Sequence, residues 1–304
     1  MKKVLFALMA LCLLAGCAAP AATPSTPSSQ PEPQPKPIPK TLKVLTIGNS
    51  FSLNATRYLA PILNDYGVEN ATVGVLYRGS SSLQEHEFYA KNKAMGYHYY
   101  QADNAVGFVE TKDVNFYHAL EQEDWDIIVM QHGAGKQGSP DTYDADAITY
   151  LVNTIKQHCP NAALYWHMDW SYAEGYTGVK IFVDEHGSSC EHSYRATTET
   201  VQQIILPDER FEAIIPTGTL IHLLRQKYTI KQLQTDQRHL SNPLGEFSAA
   251  TVFACVLLER GIEALTYCPT SLQNTELMQD LKTWVPQTLS DPFGKTVPAY
   301  VPEK

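Results

Sequence analysis

Ser50 is the first residue whose type and position could support covalent chemistry. It lies in the segment Gly-Asn-Ser-Phe-Ser at 48–52, which directly follows an apolar, β-branched run and precedes a helical pattern near Asn54. A serine on a tight strand-to-helix turn has its hydroxyl exposed at the edge of a sheet, with helix N-terminal N–H groups nearby. Alone, such a segment is more often just a turn or a helix cap, and it also fits a phosphate site. A serine nucleophile also needs a base that a third group orients.

Asp236 and His239 supply a candidate base and orienting group as an Asp-x-x-His segment near the other end of the chain. The three-residue spacing lets the carboxylate accept the imidazole Nδ1–H, so that Nε2 can take the serine proton. Asn242 and Pro243 follow, and they predict a helix start with Asn242 as the N-cap. Because an isolated Asp-x-x-His segment is often a surface turn, its weight comes from the chain order Ser50, Asp236, His239.

The elements that must position these residues alternate along the chain. Five short apolar runs predict strands at 42–47, 71–77, 126–131, 162–168 and 212–216. Between them, one helical face carries Ile148, Leu151, Val152 and Ile155, and the segment 249–258 is apolar nearly all round. This alternation predicts parallel strands with helices on both faces. Long connections at 80–124 and 170–194 are expected to be loops that build the ligand site at the carboxyl edge.

Taken together, these residues resemble the SGNH (GDSL) hydrolases, in a bacterial branch whose turn reads Gly-Asn-Ser-Phe-Ser. The similarity covers about residues 42–265 and includes the segments 77–83, 125–132 and 166–168. It implies a flavodoxin-like, three-layer α/β/α sandwich with a central, mostly parallel five-stranded sheet. It also implies that Ser50 is the nucleophile, His239 the general base and Asp236 its orienter, with no cofactor and no metal. The backbone N–H groups of Ser50 and Gly79 would be oxyanion donors.

The chain departs from the family at the third oxyanion donor, which is usually an asparagine after the third strand. Here that strand ends in Met130-Gln131-His132, so the side chain of Gln131 or of His132 is the candidate donor. The candidate substrate-binding residues are Asn49, His167 and Trp170. His167 lies at the end of the fourth predicted strand and Trp170 just after it, among aromatic neighbours suited to sugar rings, although His167 fits a buried strand-end histidine equally well.

The first forty residues predict targeting and a tether. A basic start, a short apolar run and Leu-Ala-Gly-Cys at 14–17 resemble a bacterial lipobox, in which Cys17 carries the lipid. Eight prolines between 18 and 40 predict an extended linker. The expected organisation is a signal peptide at 1–16, a lipid-anchored linker at 17–40 and one catalytic domain at 41–304. The expected location is the bacterial cell envelope, outside the cytoplasm, with membrane contact through the lipid only.

The net charge and the cysteine and histidine spacing of the chain limit the classes of ligand that it is expected to bind. A formal net charge of −9 without a basic run argues against nucleic acid. Four cysteines lie in the predicted domain, their pairing is left open, and no CxxC pair occurs. The short cluster of His186, Cys190 and His192 has no common structural zinc spacing, so a metal site is not expected.

Two classes of function remain open from the sequence. The first is a serine esterase that removes acyl groups, O-acetyl groups above all, from carbohydrates or small esters. A lipase or thioesterase of the same fold is its neighbour, although the sequence has no long apolar lid. The second is a surface glycan-binding protein that kept the fold and lost the chemistry, which the missing asparagine motivates.

Overall fold

All five strands predicted from the sequence are present in the computed structural model, which describes residues 36–133 and 135–302. The strands of the single sheet are β1 (Thr41–Gly48), β2 (Asn70–Tyr77), β3 (Tyr97–Asp103), β4 (Val109–Val114), β5 (Ile127–Met130), β6 (Ala163–His167) and β7 (Ala213–Ile215). Their order is β4-β3-β2-β1-β5-β6-β7. The predicted strands β2, β1, β5, β6 and β7 pair in parallel, so the expected mostly parallel α/β fold is confirmed.

The connection at 80–124 is not the loop that the sequence suggested. It contains two helices, α3 (Leu83–Lys91) and α4 (Phe116–Leu120), and the antiparallel strands β3 and β4, which extend the sheet to seven strands. In β3, Tyr97 and Tyr99 are buried whereas His98 and Tyr100 are half-exposed. The strand thus follows the two-residue alternation of a sheet, but with tyrosine and histidine in place of β-branched residues.

Helices cover both faces of the sheet. The remaining helices are α1 (Ser50–Thr56), α2 (Leu59–Asp65), α5 (Ala145–His158), α6 (Lys180–His186), α7 (Cys190–Thr200), α8 (Thr217–Leu224), α9 (Ile230–Leu233), α10 (Leu244–Leu258) and α11 (Leu277–Ser290). One apolar core joins α1, α2, α8, α10 and α11 to one face, and a second joins α3, α4 and α5 to the other. The predicted apolar helices are α5 and the buried α10.

The start of α10 corrects one expectation. The helix begins at Leu244, and Pro243 precedes it without a side-chain cap. The Asn242 side chain accepts a hydrogen bond from the Tyr58 hydroxyl at 2.8 Å. Asn242 is therefore not the N-cap, because its oxygen already has a partner on the neighbouring helical segment.

Several predictions concern residues outside the described part. The signal peptide, Cys17 and most of the proline-rich tether lie there. Among residues 36–133 and 135–302, no helix is long and apolar enough to span a bilayer. The cysteines in this part, Cys159, Cys190, Cys255 and Cys268, are unpaired thiols.

Candidate active site

Ser50 is held at the carboxyl end of the central strand β1. Asn49 is extended and caps α1, and its side-chain oxygen accepts the Phe51 N–H at 2.9 Å. Ser50 is the first residue of that helix and is half-buried. A Cβ atom on Gly48 would overlap the side chains of Ser52 and Gln131, so the turn into the helix requires glycine there. The strand and the cap together fix the position of the serine hydroxyl.

The structure brings the Asp-x-x-His segment to this serine. His239 Nε2 lies 2.8 Å from Ser50 Oγ, and His239 Nδ1 lies 2.7 Å from Asp236 Oδ2. An ionised carboxylate can only accept, so Nδ1 carries the proton and Nε2 accepts from the serine hydroxyl. Partial burial acts to raise the pKa of Asp236, but hydrogen bonds from His239 and Arg238 outweigh it and hold that pKa well below its ordinary range. The carboxylate is therefore charged at neutral pH.

A short closed loop holds the two residues in place. A β-bridge joins Gln234 to Leu240, and the Thr235 N–H donates to the His239 carbonyl at 2.9 Å. Between them, Gln237 has a φ of 66°, a left-handed conformation that is uncommon for a residue with a side chain. The Leu240 N–H also donates to the Asn54 side chain of α1 at 3.3 Å. The loop is thus attached to the helix that begins at Ser50.

Two backbone N–H groups are available near the serine hydroxyl. The Arg78 N–H donates to the Gly48 carbonyl at 3.0 Å, so the pairing of β1 and β2 continues up to the residues before Ser50 and Gly79. Among the described residues, neither the Ser50 N–H nor the Gly79 N–H has a hydrogen-bond acceptor. Ser80, beside Gly79, has a φ of 56°. Strain of this kind is often found at functional turns.

Gln131 does not serve as a third oxyanion donor. Its side chain is buried, its amide nitrogen donates to Asn49 Oδ1 at 3.2 Å and to Asp169 Oδ2 at 3.0 Å, and its oxygen accepts from the Ser52 hydroxyl. Both amide protons therefore have acceptors already. The prediction is wrong because these contacts with Asn49, Ser52 and Asp169 place the amide behind the nucleophile turn, where it braces the turn.

His132 is also excluded as an oxyanion donor. Its ring is buried, Nδ1 accepts from the Leu83 N–H at 3.4 Å, and Nε2 lies 2.9 Å from the Thr142 hydroxyl. Burial lowers the pKa of His132 to about 3, so the ring is neutral. Its single N–H is therefore directed at Thr142. Among the described residues, the candidate oxyanion donors that remain are the backbone N–H groups of Ser50 and Gly79.

The three predicted substrate-binding residues are buried. The side-chain oxygen of Asn49 accepts hydrogen bonds from the Phe51 N–H and from the Gln131 amide, so it is not free to bind a substrate. His167 lies under α8, where its Nε2 is 2.7 Å from the Thr217 hydroxyl, and burial lowers its pKa to about 3. Trp170 is 2% exposed. These predictions are wrong because the strand end at 167–170 turns inward, under the loop that carries His239.

Trp170 has a different place in the site. Its ring stacks on Phe51 of α1 with centroids 4.3 Å apart, and its Nε1–H donates to the Arg238 carbonyl at 2.8 Å. One side chain therefore joins the residue after Ser50 to the residue before His239. Arg225, which the sequence did not single out, donates hydrogen bonds to the Ser171 carbonyl at 2.7 Å and to Gln234 at 3.0 Å. It thereby joins the segment after Trp170 to the start of the loop that carries His239. Nothing in the apolar pattern of α8 marks this arginine as buried.

Comparison with known proteins assigns the family. The model of the DUF4886 family, a domain of unknown function, matches residues 43–281, and the chain belongs to this family. A crystal structure of a DUF4886 family protein from Bacteroides uniformis superposes with a TM-score of 0.76 at 25% identity, covering 83% of this chain and 96% of that chain. No curated protein sequence matches.

Other solved structures are more distant. A protein from Slackia heliotrinireducens, provisionally named an SGNH hydrolase, has a TM-score of 0.49 at 21% identity and covers 71% of this chain and 99% of its own. The family 3 carbohydrate esterase of Clostridium thermocellum has a TM-score of 0.41 at 11% identity, with coverages of 72% and 98%. The mostly parallel α/β fold expected from the sequence is shared with the DUF4886 structure from Bacteroides uniformis.

Proposed function

We propose that this DUF4886 protein is a serine ester hydrolase that works through an acyl-enzyme. The observation that carries the proposal is the hydrogen-bonded series Ser50–His239–Asp236, with its two contacts of 2.8 and 2.7 Å. A nucleophile, a base and an orienting carboxylate in this order match the requirements of acyl transfer.

Each half of the reaction uses the same groups. Ser50 Oγ attacks the ester carbonyl carbon while its proton passes to His239 Nε2, and the N–H groups of Ser50 and Gly79 bind the oxyanion. When the tetrahedral intermediate collapses, the alcohol leaves with the proton from His239. Water then attacks the acyl group, gives a proton to His239, and releases the carboxylic acid as Ser50 regains its proton. Asp236 stays ionised and stabilises the imidazolium in both halves.

The rim of the site supports a short acyl group on a polar partner. Exposed or half-exposed polar residues flank the catalytic groups, namely Arg78, Ser80 and Arg238. The exposed large apolar residues of the described chain are five separate positions, Phe88, Met95, Val106, Val109 and Val301, and none of them belongs to the turn at 48–52 or to the loop at 234–240. A lipase would need a continuous apolar surface beside the serine. We therefore propose O-acetyl esters, on carbohydrates in particular, as the substrates.

The function can be tested by covalent labelling and by acyl-chain preference. A reactive organophosphonate should modify the protein once, on the peptide that contains Ser50, as read by mass spectrometry. The purified protein should hydrolyse p-nitrophenyl acetate and release acetate from acetylated xylan. A clear preference for p-nitrophenyl esters of long chains would instead support the lipase or thioesterase alternative. Labelling elsewhere would argue against Ser50 as the nucleophile.

Trp170→Phe should slow the reaction without unfolding the protein. The variant keeps a ring against Phe51 but loses the N–H that holds the Arg238 carbonyl, so the loop with His239 gains freedom. We expect kcat for p-nitrophenyl acetate to fall about tenfold, because a small misplacement of a catalytic group is costly. The matched control is Trp125→Phe, since Trp125 also donates Nε1–H to a carbonyl, that of Ala119 at 2.8 Å. Equal losses of kcat in both variants would contradict the positioning role.

A further inference from the structure

The end of β2, the strand β3 and the segment before β4 carry a cluster of half-exposed aromatic side chains. The cluster, here called the aromatic strip, consists of Tyr77, His98, Tyr100 and Phe108. Tyr77 pairs with His98 across β2 and β3, and the alternation of the strands places Tyr77, His98 and Tyr100 on one face of the sheet. This is the face that α1 covers further along, since Ala102 of the same face belongs to the core of α1 and α2.

Two rings of the strip, those of His98 and Tyr100, are held by a single carboxylate. Glu110 Oε1 lies 2.6 Å from His98 Nδ1 and 2.7 Å from the Tyr100 hydroxyl, and Lys112 lies 3.5 Å from its other oxygen. His98 and Tyr100 are nearly parallel, at 15° with centroids 6.3 Å apart, and Tyr77 stands edge-on to Tyr100 at 5.8 Å. Because Glu110 holds both rings, a ligand would meet a surface that is already ordered.

The strip adjoins the catalytic centre. Tyr77 is paired with Gly48, two residues before Ser50, and its hydroxyl would lie 3.4 Å from a Cβ atom on Gly79. Neighbouring strands are about 4.8 Å apart, so His98 on β3 is about 10 Å from the strand that ends at Ser50. A ligand bound at Ser50 by its ester alone would not reach His98. A ligand with an extended polar body beside that ester would.

We propose that the aromatic strip is a carbohydrate-binding subsite that holds the sugar chain of an acetylated glycan while Ser50 acts on the ester. The inference rests on the proposed function, since it assigns the substrate class to the same site. Aromatic faces cover the apolar C–H face of a sugar, while the phenol hydroxyls and the Glu110 carboxylate can bond its hydroxyl groups.

Other ligand classes fit the strip less well. A fatty acyl chain would desolvate the Glu110 carboxylate and the Lys112 ammonium without giving them partners. A polyanion would be repelled by Glu110 and by a chain with a formal net charge of −9. A neutral, polyhydroxylated glycan avoids both the desolvation of these charged groups and the electrostatic repulsion.

The subsite is tested by comparing a small and a large substrate. In Tyr100→Ala and His98→Ala, we expect kcat/KM for acetylated xylo-oligosaccharides to fall about fivefold to tenfold, with p-nitrophenyl acetate hydrolysis unchanged. The matched control is Phe88→Ala, which removes an exposed ring (59% exposed) on α3. Circular dichroism and thermal melting establish that each variant folds. Parallel losses on both substrates, or no loss on either, would overturn the proposal.

A binding measurement separates this inference from the proposed function. Ser50→Ala and Ser50→Ala with Tyr100→Ala are compared by affinity electrophoresis in two neutral glycans, a neutral xylan and a mannan. We expect the single variant to be retarded by at least one of these glycans and the double variant to be retarded less. Retardation without any ester hydrolysis in the wild-type protein would contradict the proposed esterase function and still support the carbohydrate-binding subsite. Hydrolysis of p-nitrophenyl acetate without retardation in any of the glycans would contradict the carbohydrate-binding subsite and still support the esterase function.

Discussion

Replacing Ser50 with alanine is expected to lower kcat for p-nitrophenyl acetate by about 10⁴-fold or more. The change removes the atom that forms the acyl-enzyme, and loss of one member of such a triad leaves only the catalysis of the oxyanion donors and binding. The fold should persist, because Ser50 is half-buried and Asn49, which caps α1, is untouched. Initial rates at matched protein concentration, with thermal melting alongside, give the comparison.

A distant serine provides the control for this variant. Ser290 lies at the end of α11, where its hydroxyl donates to the Gln287 carbonyl at 3.0 Å, and Ser290→Ala should retain full activity. Near-blank rates in both the wild-type protein and Ser50→Ala, with glycan binding retained, would support the alternative of a glycan-binding protein that lost its chemistry.

Asp236→Asn is expected to lower kcat by about 10⁴-fold while leaving the loop in place. The amide can donate a hydrogen bond to Nδ1, which favours the wrong tautomer of His239 and leaves the imidazolium without its counter-charge. Asp291→Asn is a matched control, because Asp291 also accepts backbone N–H groups in a loop, those of Lys295 and Thr296. Retention of more than about a tenth of the activity in Asp236→Asn would contradict the orienting role.

The difference in stability between the wild-type protein and Asp236→Asn has a defined dependence on pH. The pKa of Asp236 is lowered from its ordinary value of 3.8, so its contribution is fully present above that pH and is lost as the pH falls through the lower folded-state value. We therefore expect the greater thermal stability of the wild-type protein over Asp236→Asn to persist from pH 8 to about pH 5. It should shrink only in strong acid. A difference that disappears between pH 7 and pH 5 would contradict this ionisation state.

Local sequence patterns were sufficient for much of the parallel framework. The five apolar runs are β1, β2, β5, β6 and β7, because a strand buried on both faces must be apolar along its length. The strand-to-helix turn at Ser50 and the Asp-x-x-His segment were likewise visible, since each depends on residues within a few positions of one another. Their assembly across 189 residues agrees with the interpretation taken from their chain order.

The failures share a physical cause. Gln131, His132, His167 and Trp170 all follow strand ends, where both a pocket wall and a buried brace are possible. Which of the two each residue becomes depends on partners far away in the chain, such as Asp169 for Gln131 or Arg238 for Trp170. Hydrogen-bond partners at such distances leave no periodic signal. The same is true of β3, whose tyrosines become a strand only because β2 offers an edge to pair with.

By itself, the sequence determined the parallel sheet, the helices around it and the identity of the serine, histidine and aspartate that could react. These follow from burial periodicity and from short-range geometry. Only the tertiary structure decided that the side chains of Gln131 and His132 are occupied by other partners, that Trp170 braces the site from within, and that Tyr77, His98 and Tyr100 share a face beside it. Those outcomes depend on which side chains compete for the same buried partner, and that competition is settled by packing in three dimensions.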